Sequence, residues 1–370
     1  MNLPATSELN GRDKPVSRES PHCPSISIAG RRISVEDPPY VIAELSANHN
    51  GKLATALKIV EAAKAAGADA VKLQTYRPDT ITLESDSPDF RISGGLWDGR
   101  TLYELYQEAH MPWEWHAPLF ERARELGIAM FSSPFDHTAV DYLEKLDAPA
   151  YKIASFEAVD LPLIRYVART GKPMIISTGM ADAGEIGEAI AAAREGGCRE
   201  LALLHCVSGY PAPAGDYNLR TIPSMMAAFG SVTGLSDHTL GNATAIASVA
   251  LGASIIEKHF TLDRKGGGPD ASFSLEPVEL QALCRDARTA WEALGKVDYS
   301  RKPSERGNAQ FRRSLYFVRA MRAGEIITSD SVRSTRPGYG LAPKYIDRVV
   351  GRRLRTDVAF ATPVRWEVLE

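Results

Sequence analysis

Eight short apolar, β-prone runs alternate with helical patterns across residues 41–259, and no other feature of the chain limits its fold so tightly. The runs are VIAEL (41–45), AVKLQ (70–74), AMFSS (129–133), AYKIAS (150–155), PMIIST (173–178), LALLHC (201–206), VTGLSDH (232–238) and SIIEKH (254–259). Helical patterns such as LATALKIVEAAKAAGA and AGEIGEAIAAAREGGC lie between them, closed by glycine at Gly67, Gly127, Gly196 and Gly252. Strands that alternate with helices pair in parallel through βαβ units. The runs are nearly continuous in apolar residues, as strands buried on both faces should be. Eight units in about 220 residues is the count of an α/β (β/α)8 TIM barrel. A doubly wound open sheet is the competing class, but it carries a Gly-rich phosphate loop after its first strand. The chain has AELSANHNG there, with no G-x-G-x-x-G.

Two stretches break the spacing. Residues 77–112 form a long insertion after the second strand, rich in aromatic and turn residues, of the kind that serves as a lid or binding segment. Around it, segment 95–116 holds Trp97, Tyr103, Tyr106, Trp113 and Trp115, some of which must simply pack the insertion onto the barrel. Near residue 296 the character changes again. Residues 1–24 read as a disordered tail, 25–295 as the barrel, 296–312 as a polar linker and 313–370 as a small β-rich domain.

Bulk properties exclude several classes. With 43 Lys and Arg against 46 Asp and Glu, the net charge of −3 gives no reason to expect nucleic acid or an anionic membrane surface as partner. No stretch is apolar for the roughly 20 residues that a membrane helix takes. The four cysteines (Cys23, Cys198, Cys206, Cys284) form no metal-type spacing, and a reducing cytoplasm fits them.

Barrel chemistry sits at the C-terminal ends of the strands. The residues expected there are Glu44, Lys72 and Gln74, Ser132 and Ser133, Lys152 and Ser155 with Glu157 beyond, and Ser177 and Thr178. The last three strands add His205 and Cys206, then Ser236, Asp237 and His238, then Lys258 and His259. Strands seven and eight are neighbours in a barrel, so His238 and His259 can converge on one divalent ion acting as a Lewis acid. Glu44 on the adjacent first strand can serve as base or electrostatic partner. The lysines and hydroxyls of the second to fifth and seventh strands suit an anionic substrate carrying phosphate and carboxylate.

In order, IAELSANHNG, VKLQT, SSPF, YKIAS-E, ISTGM, LLHC…YP, GLSDHTLG and EKHFTLDR…GPD resemble the barrel motifs of the sialic acid synthase family. The later RPGYG resembles that family's C-terminal antifreeze-like (SAF) domain. Within the family, KLQTYRPDTIT, LWDGRTLYELYQEAHMPWEWH and SFEAVDLPLI look most like the pseudaminic acid synthase branch. That resemblance implies condensation of phosphoenolpyruvate with 2,4-diacetamido-2,4,6-trideoxy-L-altrose, giving a nine-carbon acid and phosphate. It implies His238 and His259 as ligands of Mn²⁺, Mg²⁺ or Co²⁺, and Glu44 as the acid near the reacting carbons. Lys72, Ser133, Lys152, Ser155, Ser177 and Ser236 would hold phosphoenolpyruvate. Gln74, Glu157, Tyr210 and Asp270 would meet the sugar, with Arg336 reaching it across a domain-swapped homodimer. Ser208 stands where the sialic-acid branch has an asparagine-bearing contact, and Trp97 and Asp98 depart from that branch's lid, which speaks against N-acetylmannosamine. N-acetylneuraminate or legionaminic acid synthesis is the alternative. A Schiff-base aldolase using Lys72 or Lys152, and a carbohydrate-binding protein with an inert barrel, are more remote.

Overall fold

The computed structural model describes residues 23–370, so the expected tail at 1–24 lies, except for its last two residues, outside the described residues. The chain divides into two compact units that meet in sequence at Gly295 and Lys296.

The first unit opens with an antiparallel hairpin, β1 (Ile26–Ile28) and β2 (Arg31–Ile33). Eight parallel strands follow: β3 (Tyr40–Glu44), β4 (Ala70–Thr75), β5 (Ala129–Pro134), β6 (Tyr151–Ile153), β7 (Met174–Ser177), β8 (Leu201–Cys206), β9 (Val232–Ser236) and β10 (Ile255–His259). They close into a barrel in sequence order, with β10 pairing back onto β3. The expected (β/α)8 fold is therefore present, and the open sheet is excluded. Four strands stop short of their apolar runs, β3 and β7 by one residue and β6 and β9 by two. β6 ends at Ile153, because Ser155 begins a 3-10 turn (Ser155–Glu157), and β9 ends at Ser236, releasing Asp237 and His238 into a loop.

Period-two alternation sorts the strand residues into two environments. Val41, Val71, Leu73, Met130, Ile153, Ile176 and Leu203 point outward into the layer shared with the helices. Tyr40, Ile42, Ala70, Phe131, Ala150, Ile175, Ala202, Val232 and Ile255 point inward. This inner apolar set packs with Ile26, Ile28 and Ile33 of the hairpin, which stops the N-terminal end of the barrel. One step further along β3, β4, β5, β7 and β10, the inward residue becomes polar.

The insertion has structure of its own: short helices at Pro78–Ile81 and Leu102–Ala109, the second held by a Thr101–Glu104 capping box. The second unit holds the antiparallel pair β11 (Ser314–Phe317) and β12 (Val332–Thr335) around a core of Leu315, Phe317, Ile327, Val332, Leu354 and Val364. The stretch that reads as a linker carries a 3-10 helix, Pro303–Phe311, and groups with this unit. Among the described residues, no helix is long and apolar enough to cross a membrane, and all four cysteines are free thiols.

Candidate active site

The inward polar residues lie side by side because the strand register aligns them. Glu44 of β3 stands opposite His259 of β10 on one side and Lys72 of β4 on the other. Gln74 stands opposite Ser133, and Ser236 opposite Glu257. Their contacts follow. The Lys72 ammonium lies 2.6 Å from Glu44 and 3.5 Å from Glu257, and donates to Ser133 Oγ at 3.3 Å. Lys152 Nζ lies 3.6 Å from Glu257 and donates to Ser177 Oγ at 2.6 Å. Ser236 donates weakly to Glu257 Oε1, at 3.4 Å.

Two lysines and two glutamates are thus buried together, each at most 4 % exposed. Isolated charges cost too much to bury, so each must be held by the others. Burial raises the Glu44 carboxyl above its ordinary range, with Lys72 opposing that rise. Burial also pushes Glu257 upward, but the Lys152 and Lys72 ammoniums outweigh it and leave that carboxyl lowered. Lys152 is lowered by burial, and Lys72 is held above its usual value by Glu257 and Glu44 against the same penalty.

A second set of groups lies nearer the mouth. Gln74 Nε2 donates to Glu44 Oε1 and to Ser46 Oγ, both at 3.0 Å, and Ser46 in turn donates to Asp270. Asp270 is buried, and burial raises its carboxyl. Glu157, in the turn after β6, is pushed up to about 7 by burial. Gly179 follows β7, and its N–H donates to Ser155 Oγ at 3.2 Å. A Cβ at Gly179 would sit 2.7 Å from that oxygen, so the backbone approaches the serine more closely than any side chain would permit. These groups border a cavity of about 340 Å³, whose lining includes Ser46, Gln74, Tyr76, Trp97, Glu157, Ser208, Tyr210, His259 and Asp270.

His238 and His259 converge, with ring centroids 5.4 Å apart. Tyr210 packs on both rings, 4.4 Å from His238 and 6.3 Å from His259. His238 Nδ1 lies 2.9 Å from the Val207 carbonyl and donates to it, so Nε2 is the nitrogen left to ligate; against burial, Cys206 and that carbonyl hold the ring above its ordinary pKa. His259 is buried and driven well below its ordinary pKa, chiefly by burial, so it is a neutral imidazole, and its Nδ1 has no hydrogen-bond partner. Two imidazoles at this spacing, neutral when they ligate, fit a divalent ion. Among the described residues no group of three or more His, Cys, Asp or Glu side chains is placed to cage a metal. The protein would therefore give two ligands and leave the other positions open, as a catalytic rather than a structural site does.

Thirteen of the fourteen residues singled out in the sequence belong to the barrel unit and gather at its mouth. Arg336 lies in the second unit, exposed, beside a surface pocket that includes Tyr316, Asp330, Arg333 and Phe360. Some strand-end residues face away. Ser132 turns outward to Thr75, and His205 turns outward to the Tyr217 carbonyl. Lys258, buried, gives its ammonium to Asp237 at 3.0 Å and to the Thr239 and Gly241 carbonyls at 2.6 and 2.8 Å. It ties down the loop that carries His238. Of the aromatics in segment 95–116, Trp97 and Tyr106 line the cavity, whereas Trp113 stacks on Tyr142, with ring centroids 4.8 Å apart, and Trp115 packs on His49. Glu257 is the chief residue that sequence reading missed. Its signal was available, since it lies two positions before His259 and so shares its face.

Residues 59–299 match the NeuB family, and residues 312–370 match the SAF domain. The chain is 45% identical over 328 residues to the pseudaminic acid synthase of Campylobacter jejuni subsp. jejuni serotype O:23/36 (strain 81-176), covering 88% of this chain and 95% of that one. It is 42% identical to the pseudaminic acid synthase of Helicobacter pylori, covering 90% and 98%. The crystal structure of the N-acetylneuraminic acid synthetase of Leptospira borgpetersenii superposes with a TM-score of 0.69 at 30% identity, over 78% of this chain and 96% of that one. The chain belongs to the NeuB family, the sialic acid synthases.

Proposed function

We propose that this family member is a pseudaminic acid synthase, joining phosphoenolpyruvate to 2,4-diacetamido-2,4,6-trideoxy-L-altrose and releasing phosphate. The observation that carries the reading is the buried quartet of Glu44, Lys72, Lys152 and Glu257 beneath a polar and aromatic cavity. Lys72 and Lys152, with the Ser133, Ser155, Ser177 and Ser236 hydroxyls, hold the phosphate and carboxylate of phosphoenolpyruvate. Gln74, Glu157, Tyr210 and Asp270 hold the open-chain sugar, so that its aldehyde carbon faces C3 of phosphoenolpyruvate. A divalent ion on His238 and His259 (Mn²⁺, Mg²⁺ or Co²⁺) supplies Lewis-acid polarisation of the aldehyde oxygen when bound.

The electron balance fixes what the side chains must do. C3 attacks the aldehyde carbon, and C2 becomes an oxocarbenium. Water adds to C2, and the tetrahedral intermediate then expels phosphate with C–O cleavage. Glu44, fixed by Lys72 and Gln74, is the carboxylate set to stabilise the cationic C2. Its charge is preorganised and needs no rearrangement at the moment of reaction.

The small domain completes the sugar site in a domain-swapped homodimer, through Arg336. The exposed guanidinium of Arg336 and the polar stretch 296–312 support this arrangement. The protein works in the cytoplasm, as its free thiols suggest.

The test mixes protein, phosphoenolpyruvate, the diacetamido sugar and Mn²⁺, and follows phosphate release with the mass of the product. Equimolar phosphate and nine-carbon acid, both lost with EDTA and restored by Mn²⁺, Mg²⁺ or Co²⁺, support the reading. Turnover by rigorously metal-free protein overturns the metal assignment. Inactive Glu44→Gln and Arg336→Ala proteins, mixed so that subunits exchange, should regain activity. Mixed dimers without activity overturn the swap.

A further inference from the structure

Trp97 carries a hydrogen-bond donor that the protein itself does not use. Its indole Nε1 is buried and has no partner, and no other tryptophan nitrogen among the described residues is in that state. Trp113 donates to the Tyr76 carbonyl at 3.2 Å, and Trp291 to the Val35 carbonyl at 3.1 Å. An indole N–H can only donate, and leaving it buried and unpaired is costly.

The position is also built. The insertion folds into a small hairpin, with Arg91 bridging Thr101, the Ile92 N–H donating to the Arg100 carbonyl and the Gly99 N–H donating back to the Ile92 carbonyl, both at 2.9 Å. The Asp98 carboxylate accepts the Gly94 N–H and closes the tip that holds Trp97. The ring borders the barrel-mouth cavity and lies 5.9 Å from the ring of Tyr210, which in turn lies against His238. Tyr210 therefore stands between the indole and His238. The same cavity is walled by Ile81, Leu105 and Phe135.

We propose that Trp97 reads the C4 acetamido group of the sugar, its indole N–H donating to the amide carbonyl while the apolar wall takes the methyl. An acetamido group offers the two things this corner lacks, a strong acceptor and a small apolar end. The C2 acetamido sits on the carbon next to the reacting aldehyde, whereas the C4 group is remote from it, as the indole is set apart from His238 by Tyr210. This rests on the substrate reading above and makes Trp97 a specificity residue of that site.

The test compares wild type with Trp97→Phe, which keeps a ring and deletes the donor, on two substrates: the diacetamido sugar, and the same sugar with a free amine at C4. On the diacetamido sugar the variant should raise the sugar KM about tenfold, the scale of one lost hydrogen bond, with kcat, phosphoenolpyruvate KM and melting temperature unchanged. On the C4 amine the two proteins should be equal. An unchanged sugar KM overturns the inference, as does an equal loss on both substrates, which would mark the ring as packing only. Wild type that turns over neither sugar is a distinct result, and it overturns the substrate reading together with this one.

Discussion

The two halves of the barrel interior are built from the same strands and the same period, yet they hold opposite chemistry. The floor is Tyr40, Ile42, Ala70, Phe131, Ala150, Ile175, Ala202, Val232 and Ile255, sealed by the isoleucines of the hairpin. Two residues further along β3, β4, β5, β7 and β10 stand Glu44, Lys72, Ser133, Ser177 and Glu257. A floor of this kind stabilises by burying apolar area, about 25 cal/mol per Å². The mouth gains nothing comparable. Its charges must be desolvated and then matched to one another, which for folding alone is at best neutral. Fold stability therefore resides in the floor, and the mouth is kept for chemistry.

Substitutions can break that division. Glu44→Gln keeps size but removes the charge facing the reacting carbons, so turnover should fall about a thousandfold, while Lys72 keeps Glu257 at 3.5 Å and the loss of stability should be small beside that of a floor substitution. Rapid-quench phosphate release together with calorimetry checks both halves of that statement. Lys152→Met takes one ammonium from Glu257, which keeps Lys72 at 3.5 Å, so its cost should stay below the about 3–5 kcal/mol of a fully unpaired buried charge. Adding Glu257→Gln should restore most of that stability and none of the activity, read from denaturant melts beside phosphoenolpyruvate binding. Phe131→Ala on the floor should cost about 3–5 kcal/mol and leave kcat within a few-fold at low temperature. If floor and mouth substitutions moved stability and turnover alike, the division would be wrong.

Finer effects should follow from the supporting groups. Lys258→Met frees the Asp237–Gly241 loop and should weaken Mn²⁺ binding about 10–100-fold, measured by titration of the metal alone. Lys258→Arg should recover part of it. The smallest effect concerns pH. Burial lifts Glu157 to about 7. Below that pH it is a neutral donor toward the sugar, and above it an anionic acceptor. The sugar KM should change a few-fold across neutrality, and Glu157→Gln should flatten the profile. Since the folded pKa lies above the unfolded one, the same shift costs stability as pH rises from the ordinary carboxylate range through about 7.

The barrel was legible because its strands are buried on both faces and helices alternate with them, a pattern that few folds share. The position of Glu44, Lys72 and His259 was legible from strand ends alone. What could not be read was the direction of each side chain at a strand's last residues. Ser132 and Lys258 fall at strand ends but face outward, and Glu257, inside a charged run, faces inward. The parity of each strand decides this, and parity depends on where the strand begins. The lid was readable as an insertion, but not which aromatics reach the cavity. That depends on tertiary contacts such as the stacking of Trp113 on Tyr142.

The proposed reaction requires that this mouth take a 6-deoxy, diacetamido sugar. The most direct measurement is kcat/KM for three sugars at fixed phosphoenolpyruvate and Mn²⁺: the L-altrose derivative, its legionaminic-pathway isomer and N-acetylmannosamine. The L-altrose derivative should lead N-acetylmannosamine by about a hundredfold, the range that a few pocket contacts supply. Equal efficiency with N-acetylmannosamine, or a lead by the legionaminic isomer, would contradict it.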